Sequence, residues 1–389
     1  MSMRVLVAPQ QFKGTLTARQ AAEAIARGVK AGLPDAELDL APIADGGIGT
    51  VDALVLSQAG GEDRVAAVTG PLGKALLAHW GYLPGARDKP ALGVVEMAAA
   101  SGLTLVPAPE RSVLDAHTVG TGELMRAALD AGCRRLLVGA GDSGTCDGGT
   151  GAAMALGARF LDAKGQPLPP GPRHLERLDR IDLTGLDPRL KGCALTVLAD
   201  VVNPLLGETG TARVYGPQKG ADTDEIDFLD ETLLHFSLVV QRQLGLALHP
   251  EQGAGAAGGL AYGLAVLCGA KISRGFDVVS EALGLFQRVG EAEVVLTGEG
   301  QIDLQTAYAK GPWSLGRLAR MQKKKVVAFA GVVSGGSGSA TKDVFDDVIQ
   351  VTPTGELPSA AEAERLLFEA ARRWALSPRR RITVETEQK

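Results

Sequence analysis

Apolar residues along this chain fall into two rhythms, short continuous runs and stripes at helical spacing, and the two alternate. Val5-Leu6-Val7-Ala8 is a run of the first kind and predicts a buried strand. Thr17 and Gln20 then have the spacing of a capping box, and Ala21, Ile25 and Val29 recur on one helical face behind them. A second strand is predicted near residues 38–43; it ends at Asp45-Gly46-Gly47, and a helical stretch follows through Leu56. The same alternation returns late. Val294-Val295-Leu296-Thr297 leads into Gly298-Glu299-Gly300, Val326-Val327-Ala328-Phe329-Ala330 into Gly331, and Val348-Ile349-Gln350-Val351 comes last. Ser359 and Glu362 open a final helix whose face carries Leu366, Leu367, Ala370 and Trp374.

Two early and three late strands make one five-stranded parallel sheet of the flavodoxin-like kind, with ligands expected at the strand C-terminal ends. The fold class is therefore α/β, with two α/β domains. A flavodoxin-like domain takes residues 1–65 and 285–375, a second α/β domain of residues 66–284 is inserted into it, and 376–389 form a C-terminal tail. Inside the insert, strands are predicted at 64–68, 76–83 and 92–97. A helix opens at Thr121-Gly122-Glu123 and ends with Gly132 as its C′ glycine. Leu136-Leu137-Val138 is a buried strand that feeds a glycine loop over 139–151. Asp45-Gly46-Gly47-x-Gly49 and Asp147-Gly148-Gly149-x-Gly151 echo one another, as two loops solving one backbone problem would.

Length and composition fit this picture. A chain of 389 residues exceeds one ordinary core. With 51 glycines, 45% hydrophobic residues and only 4% aromatics, it suits a globular protein with many close backbone approaches. A net charge of −5 gives no electrostatic reason to expect nucleic acid or an anionic membrane as partner. The run Arg379-Arg380-Arg381 reads as a solvated tail. Cys133, Cys146, Cys193 and Cys268 form no CxxC pair and the histidines have no HxxxH spacing, which argues against zinc and a disulfide framework and for a reducing compartment. The opening apolar run is too short for a signal peptide, and no stretch reaches the length of a membrane span, so a cytoplasmic protein is expected.

The candidate chemistry sits on loops. Asp45, Asp147, Asp200, Glu299 and Asp303 stand at the ends of predicted strands or just after them, where carboxylates can hold Mg²⁺ while phosphates supply its remaining ligands. Glycines between strand and helix let backbone N–H groups converge on an anion. Lys13, Lys219 and Lys310 lie in or beside these loops, each followed by glycine, and ammonium groups suit phosphoryl oxygens. Gly139-x-Gly141-xx-Gly144 and Gly253-x-Gly255-xx-Gly258 mimic a dinucleotide fingerprint, which keeps an oxidoreductase as an alternative, although neither context has the strand and helix the motif needs. No GxxxxGK[ST] and no HRD or DFG set occurs.

Taken in order, these loops resemble the bacterial glycerate kinase family, of the type with two α/β domains and no P-loop. The resemblance runs from about Arg4 to Ala375 through Phe12-Lys13-Gly14-Thr15-Leu16, Ala44-Asp45-Gly46-Gly47, Glu96-Met97-Ala98-Ala99-Ala100-Ser101-Gly102-Leu103, Gly120-Thr121-Gly122-Glu123 and Asp147-Gly148-Gly149. It continues through Ala199-Asp200-x-x-Asn203-Pro204-Leu205, Gly216-Pro217-Gln218-Lys219-Gly220-Ala221, Gly253-Ala254-Gly255-Ala256-Ala257-Gly258-Gly259 and Thr297-Gly298-Glu299-Gly300-x-Ile302-Asp303. It implies transfer of the ATP γ-phosphoryl group to a hydroxyl of D-glycerate or a related hydroxy acid, with Mg²⁺, by an enzyme for which a homodimer is compatible. On that reading Asp200 is the catalytic base, with Lys13 and Lys219 neutralising charge, and Asp45, Asn203 and Ser101 bind substrate. Asp147, Gly148, Gly149, Gly255, Gly258 and Lys310 bind nucleotide, and Glu299 and Asp303 hold the metal. The chain departs from the family's pattern at Gln10, Gln11, Ile48, Cys146 and Val202, where polar or acidic groups are usual. Those losses keep open a homologue that binds a ligand without turnover.

Overall fold

The structure is a computed structural model and describes residues 2–56, 58–86, 89–302, 311–333, 341–353 and 357–377. By its internal contacts the chain divides into two compact units, Met1–Ala44 with Ser280–Lys389, and Asp45–Val279. The first unit opens with β1 (Arg4–Val7) and β2 (Glu37–Leu40). The second supplies β3 (Glu62–Thr69), β4 (Ala75–Leu83), β5 (Leu92–Glu96), β6 (Arg135–Gly139), β7 (Arg159–Leu161), β8 (Arg180–Asp182), β9 (Ala194–Leu198) and β10 (Lys271–Ser273). The chain then returns to the first with β11 (Val294–Ile302), β12 (Lys325–Val333) and β13 (Asp347–Gln350). Residues 45–65, which the sequence pattern gave to the first domain, have their contacts in the second unit, because β3 pairs there.

The first unit is a five-stranded sheet in the order β2-β1-β11-β12-β13, parallel at every pairing. This is the flavodoxin-like order expected from two early and three late strands. Successive residues point to opposite faces, and both sets are buried: Val5, Val7, Leu296 and Phe329 on one side, Leu6, Val295 and Val326 on the other. Burial on both faces is why these strands read as unbroken apolar runs. The helix Ala18–Gly32 begins with the predicted capping box, Thr17 accepting from the Gln20 amide while Gln20 accepts from the Thr17 amide. The helix Ala360–Leu376 has half of one: Ser359 accepts from the Glu362 amide, but the Glu362 carboxylate turns to Arg365 instead. These two helices share a core with the sheet through Ile25, Val29, Leu367, Ala371 and Trp374.

The second unit is a mixed six-stranded sheet, β10-β9-β6-β5-β4-β3, parallel from β10 to β5 and antiparallel from β5 to β3. One core packs Trp80, Met97, Leu124, Met125, Leu136, Val138 and Leu264 around it. A satellite core of Phe160, Phe236 and Tyr262 joins the β7–β8 pair to the helix Thr223–Leu244. The helix predicted to end near Gly132 spans Val119–Asp130, and Gly132 has the left-handed φ of +87° that a C′ glycine supplies. After Asp45 the expected helix is a single turn that widens into a π-helical one over Asp52–Leu56, with Val51 and Val55 against Gly81 of β4. What matters for function is that β5, β6, β9 and β10 run parallel side by side, so their C-terminal ends, from Glu96 to Ser273, form one row. Among the described residues no helix is long and apolar enough to cross a membrane.

The packing of the two long helices of the first unit can be tested at Gly28. A Cβ there would lie 2.4 Å from the Phe368 carbonyl oxygen and 2.8 Å from the Ala371 Cβ. An unhindered helical Gly→Ala change stabilises by about 0.8–1 kcal/mol. Gly28→Ala is expected to do the reverse, costing about 1–3 kcal/mol as overpacking does. Thermal melting of the purified variant reads the sign, and a raised midpoint would refute the close approach.

Candidate active site

The row of strand ends in the second unit gathers carboxylates. The Ala199 amide donates to the Ser273 carbonyl at 2.9 Å, so Asp200 and Arg274 leave two paired strands together. Asp200 Oδ1 accepts from the Phe276 amide at 3.4 Å, while its Oδ2 is buried with no hydrogen-bond partner. Burial, and then the negative charge of Asp45, push the Asp200 carboxyl up to about 8, against the pull of the Phe276 and Gly275 amides and Arg274. Its ionisation is thereby moved out of the usual carboxylate range and toward neutral pH.

Asp45 stands beside it because its own carbonyl oxygen packs on Gly275, where any Cβ would come within 2.1 Å. The Gly46 carbonyl accepts from the Gly141 amide at 3.2 Å, which ties this loop to the one that follows β6. Gly47 lies between two carboxylates: a Cβ on it would be 3.4 Å from Asp142 Oδ2 and 3.5 Å from Asp45 Oδ1. Asp142 has a φ of +55°, a conformation that non-glycine residues adopt rarely and that gathers at functional sites. Glu96, at the end of β5, completes the group. Its Oε1 accepts from the amides of Gly49 at 3.0 Å and Val51 at 2.8 Å, and burial pushes its carboxyl up to about 7. In the sequence Glu96 stands only within the motif Glu96-to-Leu103, and Asp142 carries no motif of its own. A carboxylate ending the apolar run of β5 was the available signal for the first.

Several residues assigned to ligands also have hydrogen-bond partners within the unit. Lys219 is only 2% exposed, and its Nζ donates to Ser143 Oγ at 2.9 Å and the Thr145 carbonyl at 2.7 Å, with Cys146 Sγ at 3.8 Å. It is a buried prop under the loop after β6 rather than a surface cation. Asp147 is fully buried and accepts four hydrogen bonds, from the Thr118 amide and hydroxyl and from the amides of Gly149 and Gly151. The amides of Gly148 and Gly255 donate to the carbonyls of Gly258 and Asn203. Gly258 is a packing glycine, since a Cβ there would be 1.9 Å from the Thr145 carbonyl. Ser101 is buried on Thr121 at 2.9 Å. Asn203 donates to the Thr209 carbonyl at 2.8 Å and accepts from the Tyr215 hydroxyl at 2.7 Å, so both ends of its amide hold its own loop.

In the first unit, Lys13 lies in the loop after β1 and is exposed, while Glu299 lies within β11, paired in register with Ala330 and 7% exposed; the Gln10 amide donating to the Gly298 carbonyl at 2.8 Å joins the two segments. Asp303 and Lys310 fall outside the described residues. Among those described, no three His, Cys, Asp or Glu side chains are grouped to hold a metal ion. Neither GxGxxG has its context: after β6 no helix starts until Thr150, and residues 249–259 form turns with no strand before them. The dinucleotide reading is set aside on that geometry. Asp147→Ala would leave four buried donors without their acceptor, and is expected to cost at least about 3 kcal/mol. A melting curve or soluble yield equal to the parent's would refute that structural role.

Comparison with known proteins agrees with this architecture. The model of the glycerate kinase family matches residues 5–376. A glycerate kinase of Bacillus subtilis is 43% identical over 356 residues, 92% of either chain, and a glycerate 2-kinase of Escherichia coli is 40% identical over 359 residues, 92% of this chain and 93% of that one. The crystal structure of a protein assigned as glycerate kinase 2 of Salmonella typhimurium LT2 superimposes with a TM-score of 0.84 at 39% identity, over 96% of this chain and 98% of the other. With strand order, loop positions and near-complete coverage in accord, the chain belongs to the glycerate kinase family.

Proposed function

We propose that this chain transfers the γ-phosphoryl group of ATP to a hydroxyl of D-glycerate. The observation that carries the proposal is Asp200, a carboxylate with a buried, unpartnered oxygen beside Asp45 at the ends of parallel strands. Relatives named as glycerate kinases supply the substrate. A hydroxyl nucleophile needs a group to take its proton, and Asp200 Oδ2 is an acceptor that no protein donor occupies. Asp45 supplies a neighbouring charge that keeps the proton on Asp200 once transferred. Phosphoryl transfer otherwise asks for positioning and charge neutralisation more than covalent work.

Mg²⁺ is part of the proposal. The two carboxylates flanking Gly47, Asp45 and Asp142, fit an ion that takes one or two protein oxygens and fills its octahedron with phosphates and water. Bound there, it would neutralise phosphate charge. Lys13, in the loop after β1, and Glu299, in β11, are the remaining candidates for contact with the reactants.

A second reading, a homologue that binds without turnover, is favoured by Ile48 and Val202. Both are exposed apolar side chains, 36% and 67%, at positions where the family usually carries acids. Coupled release of ADP from ATP, Mg²⁺ and D-glycerate separates the two, and phosphorus NMR of the product identifies the hydroxyl that is phosphorylated. No ADP release above background would sink the kinase reading.

The state of Asp200 gives a pH prediction. The base must be ionised, so kcat/KM for glycerate should rise with pH and level off by about 8, and earlier at saturating Mg²⁺, because an ion on Asp45 would offset part of the charge that raises Asp200. Asp200→Asn should cut turnover by about 10²–10⁴-fold, with little change in nucleotide affinity. Because the folded pKa lies above the unfolded value of 3.8, protonation favours folding at low pH, and that contribution is lost as pH rises to about 8. The asparagine variant should then melt no lower than the parent at pH 9, which distinguishes lost chemistry from lost fold. Near-normal turnover of the variant would remove Asp200 as the base.

A further inference from the structure

The loop that carries Asp45 has glycine at 46, 47 and 49, and so little side-chain bulk to hold it. Nothing lies within 4 Å of a Cβ placed on Gly49. Hydrogen bonds must do the work that packing does elsewhere. Gly46 is held through its carbonyl by the Gly141 amide, and Gly47 through its carbonyl by the Thr50 hydroxyl at 2.7 Å. Within the following turn the Thr50 amide donates to the Gly47 carbonyl at 3.3 Å, while the amides on either side of it share one acceptor from a different strand: Glu96 Oε1 takes both Gly49 and Val51. These are the N–H groups that a helical turn leaves unsatisfied at its start, where a negative group is also favoured by the peptide dipoles.

We infer that Glu96 is a positioning residue for the proposed reaction, a cap supplied from β5 that fixes the Asp45 loop against the end of β9. Its Oε1 is committed to amides 47 and 45 residues earlier in the chain, and through them it acts on the loop. Its effect depends on an acceptor oxygen at the end of a four-atom side chain, with or without charge. Gln supplies that oxygen, Met matches the volume without it, and Ala supplies neither. The inference rests on the kinase reading for its catalytic consequence, but not for its structural one.

The test measures kinetics and amide hydrogen exchange on the full chain. Glu96→Met and Glu96→Ala should lower kcat with glycerate by about 10–100-fold, the scale on which a displaced catalytic group costs rate, and change the KM for ATP less than threefold. Glu96→Gln should stay within about threefold of the parent. The amides of Gly49 and Val51 should exchange faster in the Met and Ala variants and at the parent rate in Gln, with the β6 and β9 amides unchanged. If Ala does not fold, the isosteric Met and Gln pair decides. Parent-like kcat in Glu96→Met, or a Gln variant as impaired as Met, would overturn the inference. Should the parent itself prove inactive on glycerate, the kinase reading fails alone, and the exchange rates at Gly49 and Val51 still decide whether Glu96 fixes the loop.

Discussion

A single buried carboxylate, Asp147, organises the second unit. It accepts from Thr118, the residue before the helix Val119–Asp130, and from Gly149 and Gly151 at the start of the helix Thr150–Ala155. Two helix N-termini thus share one anion, which satisfies donors that would otherwise be orphaned and sets a negative charge where both dipoles favour it. The Thr118 hydroxyl completes the joint by accepting from the Ala152 amide at 2.9 Å. The loop leaving β6 is thereby anchored at its far end, while Gly141 on the Gly46 carbonyl anchors its near end and Lys219 supports its middle. Asp142 lies on that loop, and its place beside Gly47 follows from these anchors.

The same loop shows why the site was only partly legible in the sequence. The first sheet was readable because its inner strands β1, β11 and β12 are buried on both faces and so appear as apolar runs, in an order that parallel topology nearly dictates. Asp200 was readable because a carboxylate just past a buried strand has few structural partners nearby in sequence. Asp147 looked identical to Asp45 in its local pattern, yet its partner Thr118 is brought in by tertiary folding. Lys219, between proline and glycines, looked exposed; its acceptors at Ser143 and Thr145 lie more than seventy residues away in the chain. Local pattern identifies a loop's shape, but which of its polar groups are already satisfied is decided by distant residues.

Asp45 and Asp200 illustrate how one chemical type is divided into two roles. Both are aspartates at strand ends, but Asp200 has an oxygen removed from water and from donors, and it faces the charge of Asp45. Burial and the nearby negative charge both hold the Asp200 carboxyl well above the usual carboxylate range. Burial and a neighbouring charge together set Asp200 apart from Asp45.

The strand order of the first sheet also bears on how the chain is made. Val5 pairs with Val294, so the central strand pair of that sheet joins residues on either side of the whole Asp45–Val279 unit. On a ribosome, β1 and β2 emerge with no partner on one side and wait while the second unit is synthesised. That unit is continuous in sequence and can close its own sheet first, which shortens the effective loop between β1 and β11 from a long flexible chain to a folded body. The inserted unit is thus a prerequisite for the unit that encloses it in sequence, and a truncation that removes the last strands leaves β1 and β2 as an exposed, unpaired edge.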